Sequence, residues 1–216
     1  AVLPYGLDLD RFVAEHTGAV DTLGMLGNFA EEASGWGHTI AALRHLAPRY
    51  PQLRSLFIGR GAGREVLAGQ LAKAGLDECA AVEDAGPELA PALARMDVFA
   101  YPVKSDSHSL GLLKAMASGC AVVASAVGGV TELIKDQRSG LLVPPGDAEA
   151  FADAVASLIE APDRARELGR AARAIVAREH HIDTVGAVAH EMYRSVLRGA
   201  SGSEAVTAWR RISHGG

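Results

Sequence analysis

Val98-Phe99-Ala100-Tyr101 and Ala121-Val122-Val123-Ala124 are unbroken apolar runs, and between them stands Leu110-Gly111-Leu112-Leu113-Lys114-Ala115-Met116-Ala117. The two outer runs do not alternate between apolar and polar residues. A strand that is apolar throughout is buried on both faces, as in a parallel sheet covered by helices. The segment therefore reads as strand, helix, strand. Similar short runs at 23–26, 56–58 and 141–143, with a weaker one at 79–82, extend the pattern. Between them, Ile40, Leu43 and Ala47 share a helical face, as do Leu67, Leu71 and Ala74, and later Phe151, Val155, Leu158 and Ile159. The expected fold is α/β: a Rossmann-like parallel sheet of about six strands flanked by helices.

After Asp147 strand signals stop, and helices are expected at 148–160, 163–178 and 183–197, with Pro162 marking the first break. The reading divides the chain into an opening segment at 1–19, a Rossmann-like unit at 20–180, and a C-terminal helix with a mobile tail at 181–216. Glycines at 199 and 202 and the closing Gly-Gly suggest the mobility of that tail.

With 216 residues, 49% of them apolar, the chain suits one soluble globular domain with appendages, or at most two small ones. A formal charge of −5 lacks the concentrated basic face needed to bind nucleic acid or an anionic membrane. Cys79 and Cys120 form neither a CxxC pair nor a disulfide framework, which points to a reducing, cytoplasmic setting. No apolar run is long enough to span a bilayer, and no secretory signal pattern opens the chain.

Two glycine-containing turns sit between strands and helices: Gly59-Arg60-Gly61-Ala62-Gly63 and Ala126-Val127-Gly128-Gly129. Such turns lie at the carboxyl edge of a parallel sheet, where unpaired helix N–H groups and ligands meet. The connections after 56–58, 98–101 and 121–124 are expected to border one crevice.

Several motifs follow one another in an order that resembles glycosyltransferase family 4, retaining enzymes built from two facing Rossmann-like domains in the GT-B architecture. Leu3-Pro4-Tyr5-Gly6-Leu7-Asp8, with Arg11-Phe12 beyond, resembles the family's interdomain hinge. Gly27-Asn28 and Ser34-Gly35 correspond to its glycine-arginine and lysine-glycine signatures, and Leu56-Phe57-Ile58-Gly59-Arg60-Gly61 to its strand-then-glycine loop. The segment from Asp106 to Gly119 resembles its two glutamates eight positions apart followed by alanine-methionine-alanine-x-glycine, and Gly128-Gly129-Val130-Thr131-Glu132 and Gly140-Leu141-Leu142-Val143-Pro144 continue the series.

The resemblance implies a C-terminal half that binds a nucleotide-diphospho-sugar donor, with no cofactor and no metal required. An N-terminal acceptor domain or subunit would supply the other wall of the cleft, so the isolated chain is not expected to turn over. By the same resemblance the catalytic position is Asp106, which faces the transferred sugar. The implied donor-binding set is Asn28, Ser34, Gly59, Arg60, Gly61, Ser107, His108, Ser109, Leu110, Lys114, Gly128, Gly129 and Glu132.

This sequence departs from the family at the charges. The arginine and lysine that neutralise the diphosphate are replaced by Asn28 and Ser34, which donate hydrogen bonds without charge. The glutamate that accepts from the ribose hydroxyls is replaced by Lys114, which only donates. Lys114 could serve a phosphate, another ligand, or a carboxylate such as Glu132. The main-chain N–H groups of Ser107, His108, Ser109 and Leu110, at the start of the Lys114 helix, would still face a phosphate. Ser109 stands where glycine is usual, and its Cβ would crowd a close phosphate.

Arg60, Arg64 and Lys104 are candidate replacements for the missing cations, against the plainer reading as solvated surface charges. These departures also admit a second function, a non-catalytic homologue retained as a binding or stabilising partner. His180-His181 lacks acidic or cysteine company at ligand spacing and reads as surface polarity rather than a metal site. Trp36 and Trp209 read as packing residues. Gly59–Gly63 does not complete a dinucleotide fingerprint, because Arg64 holds the third glycine position.

Overall fold

The computed structural model describes residues 3–12, 16, 18–30, 35–105 and 109–197. Among the predicted site residues, Ser34, Asp106, Ser107 and His108 lie outside the described residues, as do the expected tail and Trp209.

Six strands alternate with helices: β1 Thr22–Asn28, α1 Trp36–Leu46, β2 Arg54–Arg60, α2 Arg64–Lys73, β3 Ala80–Asp84, α3 Ala90–Leu93, β4 Val98–Tyr101, α4 Leu110–Ala117, β5 Ala121–Ser125, α5 Val130–Leu133 and β6 Leu141–Val143. Three helices follow: α6 Ala148–Glu160, α7 Pro162–Glu179 and α8 Ile182–Leu197. All pairings are parallel, in the order β3-β2-β1-β4-β5-β6. The chain thus starts in the middle, winds outward to β3, returns, and winds the other way. The reversal between β1 and β4, where Leu23 pairs with Val98, leaves a gap at the carboxyl edge of the sheet.

The period of two along each strand explains the continuous apolar runs. Phe57, Val98, Ala100 and Val123 face one core with Leu43, Leu46 and Phe151, whereas Ile58, Phe99, Val122 and Ala124 face a second with Leu112, Met116 and Val176. Burying each aromatic or large aliphatic side chain contributes about 1.5–3 kcal/mol before ordering costs.

The strands run further than their apolar stretches. Gly27 pairs with Gly59 and Asn28 with Arg60, so these four residues belong to β1 and β2 rather than to the following turns. Ladder hydrogen bonding carries them there, since the Phe29 N–H also donates to the Arg60 carbonyl at 2.8 Å. The weak run at 79–82 is displaced one or two residues, to β3. Trp36 packs between Phe29 and Phe57, and its Nε1–H donates to the Asn28 carbonyl, which fixes the exit of β1.

The opening segment packs onto this body. Leu7 pairs with the junction of α7 and α8, its N–H donating to His180 O at 2.7 Å and its carbonyl accepting from Ile182 at 2.9 Å. Leu7, Leu9 and Phe12 are buried in the second core. His180 corrects the reading as surface polarity: it is 5% exposed, and its Nδ1 lies 3.0 Å from the Tyr5 carbonyl. A buried imidazole needs such a partner, and the opening segment supplies it. Among the described residues, no helix is long and apolar enough to cross a membrane.

Candidate functional site

The gap between β1 and β4 opens into a crevice with a cavity volume of about 990 Å³. Its floor is made by the ends of β1 and β2, including Gly27, Asn28, Gly59, Arg60 and Gly61. One wall is the start of α4, with Ser109, Gly111 and Lys114; the others are the 85–90 connection after β3 and the opening segment from Gly6 to Phe12.

The floor is shaped by the lack of side chains. A Cβ on Gly59 would stand 2.5 Å from the Gly27 carbonyl oxygen. At Gly61, φ is +96°, and a Cβ would meet Asn28 Oδ1 at 2.5 Å. Both positions keep the backbone low and accessible. Asn28 Oδ1 accepts from the Ala30 N–H at 3.0 Å, so the side chain braces the turn that leaves β1.

At α4, Ser109 is the N-cap, and its hydroxyl accepts from the Leu112 N–H at 3.2 Å. The serine side chain therefore takes up the Leu112 amide, which is not one of the Ser107–Leu110 amides expected to face a phosphate. Among the described residues nothing accepts from the N–H groups of Leu110 and Gly111. Lys114, one helical turn further on, is half-buried against the crevice.

Three cations line this space and differ in their company. Arg11 is held by Glu88, with Nη2 at 2.6 and 2.5 Å from the two carboxylate oxygens. Arg60 donates from Nε to the Ala85 carbonyl at 3.2 Å and from Nη2 to the Gly86 carbonyl at 2.8 Å, both neutral acceptors. Among the described residues Lys114 has no ion-pair partner, and the suggested pairing with Glu132 is not formed. Glu132 sits on α5, outside the crevice, where its backbone carbonyl accepts from Lys135 Nζ.

The structure thus brings Asn28, Gly59, Arg60, Gly61, Ser109 and Lys114 together and leaves Leu110, Gly128, Gly129 and Glu132 out of the lining. The connection after β5 does not border this space, contrary to expectation, because β5 lies one strand beyond the switch and Val130 and Leu133 tuck into the core. Arg64 also points elsewhere, paired with Asp84 at 3.0 Å and bonded to the Val82 carbonyl, and Lys104 is outside the lining. The 85–90 connection and the Arg11–Glu88 pair went unnoticed in the sequence. Placing the weak strand at 80–84 would have revealed that connection as another carboxyl-edge loop.

The model of the family described as Glycosyl transferases group 1 matches residues 20–161. The chain belongs to the group 1 glycosyltransferases. Over 209 residues it is 31% identical to a phosphatidyl-myo-inositol mannosyltransferase of Mycobacterium leprae, covering 92% of this chain and 54% of that protein. Over 168 residues it is 32% identical to a D-inositol 3-phosphate glycosyltransferase of Segniliparus rotundus, covering 75% of this chain and 37% of that protein. This chain therefore spans about half, or less, of these relatives' lengths.

Among solved structures, sucrose-phosphate synthase of Thermosynechococcus elongatus matches with TM-score 0.80 at 26% identity, over 92% of this chain and 53% of that one. A C-terminal domain of a glycosyl transferase group 1 family protein from Francisella tularensis is covered completely, by 82% of this chain, with TM-score 0.69 and 22% identity. Anabaena HepE in complex with UDP-glucose shares the fold with TM-score 0.78 at 20% identity, over 88% of this chain and 56% of that one. The six-stranded parallel sheet flanked by helices is the fold expected of half a GT-B enzyme.

The opposite edge of the sheet is built differently. His16 lies with Nε2 3.2 Å from the Ser118 carbonyl and Nδ1 3.6 Å from Asp97 Oδ1. Asp97 Oδ2 accepts from the N–H groups of Asp21 and Thr22 at 3.0 and 2.9 Å. Burial alone would raise the Asp97 pKa, but the hydrogen bonds from His16, Asp21 and Thr22 outweigh it and hold the carboxyl below its ordinary value. Cys120 Sγ stands 4.0 Å from His16 Nε2, and burial, with the Asp97 charge adding to it, pushes that thiol up to about 12. Despite a Cys-His-Asp grouping, this is no activated nucleophile, because the thiolate form is suppressed.

Proposed function

We propose that this chain is the C-terminal, donor-binding half of a retaining glycosyltransferase, holding a nucleotide-diphospho-sugar in the crevice between β1 and β4. One observation carries the reading. At the topological switch point, glycine-floored strand ends, the open N-terminus of α4 and two cations without a carboxylate partner converge on one space. The UDP-glucose complex of HepE, on the same fold, supports it. The covered C-terminal domain from Francisella tularensis supports the assignment to that half.

In this reading the amides of Leu110 and Gly111 receive a phosphate, Asp106 faces the sugar, and an N-terminal domain or subunit brings the acceptor. Phosphate held at a helix start is stabilised further as negative charge develops on the leaving diphosphate. Transfer itself needs the second domain.

The uncharged residues at 28 and 34 favour a second reading, a non-catalytic homologue that keeps the fold as a partner. Calorimetric titration of the chain with UDP-, GDP- and ADP-sugars separates the two. Micromolar binding of at least one donor is expected, and no detectable binding of any of them overturns the donor-site reading.

A further inference from the structure

Three cations, Arg11, Arg60 and Lys114, and two carboxylates, Asp8 and Glu88, line the crevice, and the cations are not where the family's signatures would put them. Asn28 is neutral, and its Oδ1 is occupied by the Ala30 amide. Ser34 is neutral as well. Of the crevice cations, Arg11 is cancelled by Glu88, whereas Arg60 touches only carbonyls and Lys114 has no carboxylate partner among the described residues.

Lys114 is half-buried at the crevice, and a cation there is best satisfied by an anion when none is supplied within the chain. Arg60 is exposed and likewise has no carboxylate partner among the described residues. Its two carbonyl contacts fix the guanidinium plane at the crevice without cancelling its charge. Gly111, at the start of α4, lines the same crevice, and among the described residues nothing accepts from its N–H.

We propose that Lys114 and Arg60 are the charge-bearing ligands of the donor's diphosphate in this protein. They take the place of cations at positions 28 and 34, and the diphosphate is drawn toward the side of α4 that carries Lys114. The proposal rests on the donor-site reading for its ligand, but its charge argument needs only a doubly anionic diphosphate group. Lys114 is then a specificity-determining residue, and not a lesion in an inherited site.

The test titrates the chain with inorganic pyrophosphate and with a panel of nucleoside diphosphates and their monophosphates. It is run at about 0.05 M and about 0.5 M salt, where screening differs strongly. The natural chain is expected to bind pyrophosphate and at least one diphosphate, to prefer the diphosphate to its monophosphate, and to weaken as salt rises. Lys114→Met and Arg60→Gln are each expected to weaken diphosphate binding about tenfold or more, and Lys114→Glu to abolish it. Circular dichroism checks that each variant is folded, and the salt dependence of the natural chain stands independently of them.

Tighter binding by Lys114→Glu than by the natural chain would overturn the proposal, as would nucleotide binding indifferent to both neutral variants and to salt. In those outcomes the donor-site reading survives. Pyrophosphate binding that depends on Lys114 and Arg60, with no nucleotide sugar bound, upholds the charge assignment and defeats the donor-site reading.

Discussion

The two edges of the sheet place their polar groups in opposite ways, partly buried against one another at the amino edge and lining an open crevice at the carboxyl edge. At the amino edge the imidazole of His16 and the carboxylate of Asp97 face partners within the chain, while the buried Ser118 hydroxyl beside them has none among the described residues. At the carboxyl edge two amides and two cations meet no carboxylate of the chain among the described residues. The amino edge is arranged for the stability of the fold itself. On the proposed reading, the carboxyl edge is arranged for a ligand that arrives from outside.

The amino edge should break first and most. Gly169 of α7 lies against the turn that ends α4, where a Cβ would stand 2.0 Å from the Gly119 carbonyl oxygen. Backbone on both sides leaves no flexible side chain to give way. Gly169→Ala is expected to lose about 2–3 kcal/mol by overpacking, despite the gain in helix propensity. The shift of the urea midpoint at constant slope measures it. A variant as stable as the natural chain would mean that α7 slides freely on this edge, and the contrast between edges would weaken.

Asp97 comes next. A carboxyl held below its ordinary value contributes stability above the unfolded pKa, and that contribution is lost as pH falls through the folded value. Stability of the natural chain should therefore decline below about pH 4. Asp97→Asn is expected to cost about 1–2 kcal/mol at neutral pH and to flatten the decline in acid, as read from urea titrations at several pH values. An equally steep acid slope in the variant would move the effect to other carboxylates.

How much of this was readable in advance follows the same division. The apolar runs at 98–101 and 121–124 specify strands by hydrophobic period alone, and both appear with at most one residue of change. Gly59 and Gly61 were legible because backbone that must pass close to other backbone excludes side chains. The partners of Lys114 and Glu132 were not legible: the pattern places them 18 positions apart near one edge, but only the packing of α5 decides that they do not meet. His180 misled for a related reason. Its hydrogen-bond partner is the Tyr5 carbonyl, 175 residues away, and no local spacing reports a contact of that range. The loop at 85–90 was hidden because β3 is a partly exposed edge strand whose apolar signal is weak.

The smallest expected effect is the sharpest check on the carboxyl edge. If Lys114 were a structural residue, its removal would expose a lost ion pair or hydrogen bond as lower stability. No such partner is present among the described residues, and the side chain is half-buried at the crevice. Methionine keeps most of the aliphatic stem and discards the uncompensated charge. Lys114→Met should therefore leave unfolding stability within about 0.5 kcal/mol of the natural chain, with any change toward greater stability. A loss of about 2 kcal/mol or more would show that the ammonium is paid back inside the fold, and the carboxyl edge would then resemble the amino edge. Unchanged stability, together with the loss of diphosphate binding, would tie the charge to the ligand alone.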